Sequence, residues 1–312
     1  MPERLAELAA GQTRVAATAV ADAAEAKLRA RQKGQPAPQP EISPDEELPK
    51  KLRIAYEDGE TDREVTFRVW RGDASGGAFQ HYRVPVVEGM VVLDGIHWIQ
   101  ANLAGDLACR WNCKAAKCGS CSAEINGRPS LMCKTRVDEV LALSQEVIVQ
   151  PLQVFPKVED LVTDVSWNYE VNRKIQPFTP APGEVAPFDI QQRDIERVIE
   201  QRRCIECFLC QDVCHVMREH DGMGRFFGPR FMVRMASLEM HPKDVLNRLP
   251  QLYGEGGLAY CNITKCCTEV CPEHIQITDN AIIPLKERVA DRHFDPLRGA
   301  LRVLRGETGS GR

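Results

Sequence analysis

Residues 204–214 read Cys-Ile-Glu-Cys-Phe-Leu-Cys-Gln-Asp-Val-Cys, and this spacing of four cysteines is highly specific. In bacterial proteins with two iron–sulfur clusters, the first three cysteines of such a run hold one [4Fe–4S] cluster, and the fourth reaches a second cluster. A zinc site has no use for four thiolates so close together on one short segment. The run therefore predicts two iron–sulfur clusters in this half of the chain.

A second run of the same kind follows, and one of its cysteines is missing. A complete repeat would need cysteine at 261, 264, 267 and 271, but position 264 is threonine, and Pro272 follows the run as the pattern predicts. When the fourth cysteines are crossed between the runs, a [4Fe–4S] cluster takes Cys204, Cys207, Cys210 and Cys271. Three thiolates remain for the other cluster: Cys214, Cys261 and Cys267. Three thiolates hold three irons, so we predict a [3Fe–4S] cluster. Cys266 is out of register, and we expect that it does not fill the vacant corner.

Another group of cysteines lies earlier in the chain. Cys113, Cys118, Cys121 and Cys133 have the spacing of plant-type [2Fe–2S] proteins. A tight loop lets three thiolates converge on the cluster while backbone N–H groups turn toward the sulfurs, and Gly119 supplies the backbone freedom for the turn. A four-cysteine zinc site usually shows two C-x2-C pairs, whereas this group has one. Cys109 is out of register and is predicted to be a buried small hydrophobe.

The composition excludes several classes of protein. The chain has 13 cysteines among 312 residues, an odd and clustered set that favours metal over disulfides. Its net charge of -4 and scattered basic residues do not indicate a nucleic-acid partner. No apolar run reaches the roughly 18 residues that span a bilayer, and the N-terminus resembles no secretory signal. Acidic residues in the first 25 positions argue against a transit peptide, so we expect a cytoplasmic protein.

Composition and periodicity divide the chain into four parts. Residues 1–50 are predicted to be a helical extension, over 1–33, followed by a Pro-rich linker. Residues 51–170 contain alternating strands and one helix around the first cysteine group, and residues 171–290 are mostly helical. Residues 291–312 form a C-terminal tail with spaced arginines and leucines; a solvated helix is the default, and contact with anionic lipid is the alternative.

Individual elements follow from the same patterns. Strands are predicted at Leu52–Tyr56, Val65–Val69, His81–Val86 and Val147–Gln150, and a hairpin turns at Asn126-Gly127. Helices are predicted at Met90–Leu103, Asp194–Gln201, Phe231–Leu238 and Asp279–Val289.

Three clusters in one chain indicate a protein that transfers electrons from one cluster to the next. The chain offers no place for two-electron chemistry of its own, so we expect it to connect a two-electron donor to a separate acceptor. Cluster potential depends on cluster type, and Thr264 changes the type at one end. That end suits an acceptor of relatively high potential.

The motifs resemble those of the iron–sulfur subunits of succinate dehydrogenases and fumarate reductases. The resemblance spans roughly residues 52–290 and rests on these segments: Cys113–Cys121, Ile125–Gly127, Gln150–Leu152, Phe155-Pro156, Asp160–Val162, Cys204–Cys207 and Cys271-Pro272. It implies an α+β chain in which a β-grasp [2Fe–2S] ferredoxin domain precedes an α-helical ferredoxin domain. It also implies that electrons come from covalent FAD in a flavoprotein subunit and pass to a quinone near a membrane-anchor subunit.

The chain departs from this family beside the third cluster. Relatives usually have Pro after the cysteine at 214 and a Trp a few residues later, whereas this chain has His215 and Glu219. Relatives commonly have His after the cysteine at 261, where this chain has Asn262. We assign His215 and Asn262 to the quinone edge, with a purely structural hydrogen-bonding role for His215 as the alternative.

The resemblance implies a subunit that is active only within its complex, a succinate:quinone oxidoreductase held by partner subunits at the cytoplasmic side of a bacterial inner membrane. Three alternatives stay open. The same three clusters could work mainly in a quinol:fumarate reductase. They could also pass electrons to another acceptor, such as a thiol–disulfide pair, and such a function would favour further cysteine-rich modules. From another class, the chain could be a zinc-stabilised scaffold, which would be colourless rather than brown.

Overall fold

A computed structural model describes residues 63–219 and 222–296 of the chain. The predicted N-terminal helix, the Pro-rich linker and the strand at 52–56 lie outside these residues, as does the tail from 297 onward. Among the described residues, no helix is both long enough and apolar enough to cross a membrane.

A mixed sheet forms the first half of the described chain. Its strands follow the order β4-β3-β5-β1-β6-β7, with β2 paired to β1, and the β1–β5 pair is parallel while the other pairs are antiparallel. The strands are β1 (Glu64–Asp73), β2 (Gly76–Pro85), β3 (Ser122–Ile125), β4 (Arg128–Leu131), β5 (Val147–Gln150), β6 (Lys157–Glu159) and β7 (Val162–Thr163). The predicted strands at 65–69, 81–86 and 147–150 are confirmed, and the first two are longer than expected.

The predicted hairpin is also confirmed, and its turn explains why. Asn126 and Gly127 both have positive φ, 48° and 79°, which a tight two-residue turn between β3 and β4 requires. The side chain of Asn126 further binds β5, because its Oδ1 accepts from Ile148 N at 2.8 Å. The turn residues therefore set the register of the strands on both sides.

One helix covers the sheet. Helix α1 (Val92–Asn102) begins where Asp94 accepts a hydrogen bond from Val91 N at 3.2 Å, and it turns an apolar face toward β1. A Cβ added at Gly95 would lie 2.4 Å from the ring of Phe67, so glycine lets this fully buried ring reach the helix backbone. A short helix α2 (Val137–Leu141) follows β4.

Helices and single turns make up the second half. The helices are α3 (Ser166–Arg173), α4 (Gln192–Ile199), α5 (Leu209–Asp212), α6 (His215–Glu219), α7 (Gly228–Glu239), α8 (Leu249–Tyr253), α9 (Cys266–Glu269) and α10 (Ile283–Phe294). A π-helical segment, Ile277–Ile282, leads into α10. The three predicted helices are found here as α4, as α7 and as the π segment with α10.

Helix α7 is the centre of the helical half. Ten of its twelve residues are buried, and it packs against the π segment, α4 and α5. Residues on several sides of it, such as Phe231, Met232 and Met235, are at most 1% exposed, as expected for a helix surrounded by protein. The elements around α7 carry the cysteines of the two runs, 204–214 and 261–271.

Candidate metal centres

The first centre is a loop, the Cys113 loop, formed by residues 113–121 together with Cys133, which lies two residues after the end of β4. Lys114, Ala116 and Gly119 have positive φ, which turns backbone N–H groups inward. Ala115 N and Lys117 N each lie 3.3 Å from the Sγ of Cys113, and Ala116 N lies 3.3 Å from the Sγ of Cys133. This is the arrangement expected from the sequence, and it stabilises negative charge on the sulfurs.

Two thiols of this loop have shifted acidity. Burial raises the pKa of Cys118, but hydrogen bonds that involve Ser120 and Cys113 outweigh it and bring the pKa down to about 6. Burial raises the pKa of Cys121 to about 12. The surroundings of the loop therefore favour ionisation of Cys118 and oppose ionisation of Cys121.

The second centre is a small cavity, the Cys204 cavity, which four cysteines help to line. Its cysteines come from three elements: the turn before α5, α5 itself and the segment that follows α9. They are Cys204, Cys207, Cys210 and Cys271. Arg230 of α7, 4% exposed, also lines this cavity and forms an ion pair with Glu206, so the cavity has a fixed cation. Cys271 thus lies with the first run, as the crossing of the fourth cysteines predicts.

The third centre is a second small cavity, the Cys261 cavity. Its cysteines are Cys214, Cys261, Cys266 and Cys267, and Thr264 also lines it. The Oγ1 of Thr264 lies 3.3 Å from the Sγ of Cys266. Cys214, the last cysteine of the first run, therefore lies with the second run.

The two runs repeat the same backbone. A 3₁₀ turn ends at each first cysteine, Cys204 and Cys261, which have similar ψ angles of 118° and 122°. Positive φ angles follow two and four residues later in both runs, and a four-residue helix begins at the next position. In this structural repeat Thr264 corresponds to Cys207, and Cys266 corresponds to Leu209.

As thiolates, the buried cysteines of the helical half would need a compensating cation. Burial raises the pKa of Cys207 and Cys267 to about 12, and that of Cys214 to about 11. Burial also raises the pKa of Cys210 well above its usual value, and charge on Cys207 and Cys204 raises it further. Grouped thiolates in such surroundings are stable only beside positive charge, which iron supplies. The donor sets thus fit iron–sulfur clusters.

Across residues 63–219 and 222–296, no three His, Cys, Asp or Glu side chains lie close enough to hold one metal ion.

The candidate quinone residues lie at the Cys261 cavity. His215 begins α6 directly after Cys214, and its Nε2 lies 2.7 Å from the Nδ2 of Asn262. Both residues line the cavity beside the cysteines of the second run. Two of the three positions at which the sequence departs from the family it resembles are therefore in contact.

The sequence did not reveal how closely the first two centres approach. The hydroxyl of Ser122 lies 2.8 Å from both Gly119 O and Cys207 O, so it joins the Cys113 loop to the Cys204 cavity. A Cβ added at Gly119 would lie 2.7 Å from the Cα of Cys207. Lys117 also forms an ion pair with Glu273, at 3.2 Å. No spacing rule marks Ser122 or this contact.

Two family models match the chain. One, described as a 2Fe-2S iron-sulfur cluster binding domain, matches residues 66–170, and the other, a 4Fe-4S dicluster domain, matches residues 200–275. The fold and these matches define an electron-transport iron–sulfur protein, in which a β-grasp [2Fe–2S] ferredoxin domain precedes an α-helical ferredoxin domain.

Individual relatives identify the family within this class of iron–sulfur proteins. The fumarate reductase iron-sulfur subunit of Haemophilus influenzae is 30% identical over 210 residues, which are 62% of this chain and 80% of that protein. A solved chain of the Mycobacterium smegmatis Sdh1 complex in the apo form is 57% identical, with a TM-score of 0.72 over 75% of this chain and 98% of that one. The chain belongs to the family of succinate dehydrogenase and fumarate reductase iron–sulfur subunits.

Longer relatives also match. A chain of the CoM/CoB fumarate reductase of Methanothermobacter marburgensis is 29% identical over 239 residues, 74% of this chain. The chain spans only 40% to 45% of the length of this protein and of two uncharacterized iron-sulfur proteins.

Proposed function

We propose that the chain carries single electrons between the FAD of a flavoprotein subunit and a quinone held at a membrane-anchor subunit. The observation that carries this proposal is the structural repeat, in which Thr264 occupies the position of Cys207. A run with one ligand replaced favours a terminal cluster of a different type, and hence of a different potential, from its neighbour.

The ligand assignment belongs to this proposal. A [2Fe–2S] cluster in the Cys113 loop is held by Cys113, Cys118, Cys121 and Cys133. A [4Fe–4S] cluster is held by Cys204, Cys207, Cys210 and Cys271. A [3Fe–4S] cluster is held by Cys214, Cys261 and Cys267. The grouping of these thiols around two separate cavities supports the division between the last two sets. The two domains are proposed to span 51–170 and 171–290, with 1–50 and 291–312 outside them.

Each cluster, when bound, accepts and releases one electron. The protein's part is to hold the three sites close together and to set the charge around each. N–H groups of the Cys113 loop face Cys113 and Cys133, and Arg230 faces the Cys204 cavity. Ser122 holds the first two sites together, and at the third site Thr264 stands where the first run has Cys207.

His215 and Asn262 are proposed to face the quinone. Asn262 Nδ2 has hydrogens only to donate, so the contact at 2.7 Å requires His215 Nε2 to accept when His215 is neutral. The hydrogen of the His215 ring then lies on Nδ1, where it is available to a quinone oxygen. This function also implies a peripheral location at the cytoplasmic face of the membrane, through the partner subunits.

The test is to purify the chain with its native partners and to compare succinate–quinone with quinol–fumarate activity. We expect a brown complex with iron and acid-labile sulfide, an oxidised [3Fe–4S] signal in electron paramagnetic resonance (EPR), and quinone reduction by succinate. A faster quinol–fumarate reaction would reverse the proposed direction. Activity only with a thiol donor or a disulfide acceptor would mean that the redox partner is a thiol–disulfide pair and not a quinone. A colourless zinc protein would contradict the proposal altogether.

A further inference from the structure

Thr278 places a buried hydroxyl beside one sulfur of the Cys261 cavity. It is 1% exposed, it lines the cavity, and its Oγ1 lies 3.5 Å from the Sγ of Cys267. Cys267, 5% exposed, is one of the three thiols proposed to hold the terminal cluster. The contact is therefore shielded from water, where a hydrogen bond has a large electrostatic effect.

The direction of this hydrogen bond follows from its neighbours. Thr278 N donates to the Oγ1 of Thr268 at 3.0 Å, and the hydroxyl of Thr268 lies 3.2 Å from the Oγ1 of Thr278. An iron-bound thiolate has no hydrogen and can only accept. If Thr268 donates to Thr278, the hydroxyl of Thr278 donates to Cys267. Among the hydrogen bonds of the described residues, this arrangement gives both hydroxyl hydrogens an acceptor.

The neighbouring cavity provides a contrast within the same segment. Ile277 lines the Cys204 cavity, while the next residue, Thr278, lines the Cys261 cavity. No Ser or Thr is among the described residues that line the Cys204 cavity. One π-helical segment thus presents an apolar side chain to one centre and a hydroxyl to the other.

We propose that the hydroxyl of Thr278 donates a hydrogen bond to the Sγ of Cys267 and thereby raises the reduction potential of the terminal cluster. This inference rests on the function proposed above. Reduction adds one negative charge to the cluster, and a donor aimed at a ligand sulfur stabilises that charge. Thr278 is thus a positioning residue that makes the last cluster a better electron acceptor.

The test is an EPR-monitored redox titration of the purified complex with Thr278→Val, which keeps the shape and removes the hydroxyl. At a fixed ambient potential near the wild-type midpoint, we expect the ratio of reduced to oxidised terminal cluster to fall several-fold. A tenfold fall corresponds to about 59 mV for one electron. Thr278→Ser should restore the wild-type ratio, and the other two clusters should keep their midpoints.

The matched control is Ser237→Ala, because Ser237 is a buried hydroxyl of α7 that bonds Arg234 O at 2.7 Å. It should leave all three midpoints unchanged. An unchanged terminal midpoint in Thr278→Val would overturn the inference. Loss of the terminal cluster in both Thr278→Val and Thr278→Ala would also overturn the inference, because the hydroxyl would then be needed for cluster assembly. Absence of a [3Fe–4S] signal in the wild type would instead defeat the proposed function itself.

Discussion

At the scale of single residues, two cysteines stand outside the proposed ligand sets. Cys109 packs against the core of the sheet domain, its Sγ lies 3.6 Å from Arg110 O, and burial raises its pKa to about 12. Its surroundings are those of a small apolar side chain. Cys266 lines the Cys261 cavity, yet in the structural repeat it corresponds to Leu209, a core residue.

Cys109→Ala and Cys266→Ala are therefore expected to keep all three clusters. Iron and sulfide content should match the wild type, and the oxidised and reduced EPR spectra should be unchanged. Cys267→Ala is the matched comparison, because Cys267 is a proposed ligand and its loss should remove the [3Fe–4S] signal. If Cys266→Ala removed that signal while Cys267→Ala retained it, the register of the second run would be shifted by one.

The sequence predicts residues near the clusters only where the spacing of cysteines defines their positions. Thr264 can be found in this way, because the repeat of the cysteine run requires a cysteine at that position. Thr278 and Ser122 contact cysteines that lie 11 and 85 positions away in sequence. No local pattern encodes those contacts, because they depend on how whole elements pack.

At the scale of elements, the Cys113 loop and the turn at Cys207 are in direct contact. Gly119 has a φ of 70° and would place a Cβ 2.7 Å from the Cα of Cys207. Two demands therefore meet at this glycine: a backbone angle that side chains disfavour, and a close approach between two backbones. The cysteine spacing predicts the first demand alone, because the second depends on a segment 85 or more positions away.

Gly119→Ala should push the Cys113 loop away from the turn at Cys207. Gly127→Ala is the control, because it introduces a side chain at a positive φ without a close contact. Gly127 has a φ of 79° but nothing within 4 Å of an added Cβ. We expect Gly119→Ala to cost about 1–3 kcal/mol more than the control, because the alanine methyl overpacks the contact. The measurements are the melting temperature of the complex and the magnetic coupling between the first two reduced clusters. Equal effects of the two substitutions would show that the contact matters little.

Elements marked by a clear period or by a specific turn were predicted best. Helix α1, the β3–β4 hairpin and strand β5 lie within two residues of the expected bounds. Three helices lie within or directly after the cysteine runs and have only four or five residues, too few to show a helical period: α5, α6 and α9. Their geometry comes from the turns and thiols beside them.

At the scale of the whole molecule, an ion network joins the sheet to the helical half. Arg218 at the end of α6 pairs with Glu124 of β3 and, at 2.9 Å, with Asp212 of α5. The two carboxylates are 2% and 0% exposed. Gln150 of β5 also binds Glu124, at 2.5 Å. Arg218 is therefore the cation that two buried carboxylates share.

Arg218→Met should leave those carboxylates buried beside an apolar side chain. We expect a loss of about 3 kcal/mol in the free energy of unfolding, which would lower the melting temperature of the complex. Arg63→Met is the control, since Arg63 pairs with Asp138 at the surface, where both side chains are at least 40% exposed. That pair should contribute less than about 1 kcal/mol. Similar melting temperatures for the two variants would mean that water reaches Glu124 and Asp212.

The contacts also order the three centres. The Cys113 loop touches Cys207, and the π segment reaches the Cys204 and Cys261 cavities through adjacent residues. The Cys204 cavity therefore neighbours both other centres. If electrons enter at the Cys113 loop, they leave from the Cys261 cavity, where His215 and Asn262 lie.

Thr264→Cys tests this direction, because it completes the second run. The terminal cluster should become [4Fe–4S], and its potential should fall. Reduction of an artificial dye by succinate at the flavin should survive, whereas quinone reduction should slow at least several-fold. EPR checks the conversion, and Thr264→Ser serves as the control, because serine adds no thiolate and should keep the [3Fe–4S] signal. Equal loss of both activities would argue against entry at the Cys113 loop. Unchanged quinone reduction with a converted cluster would mean that electrons leave elsewhere.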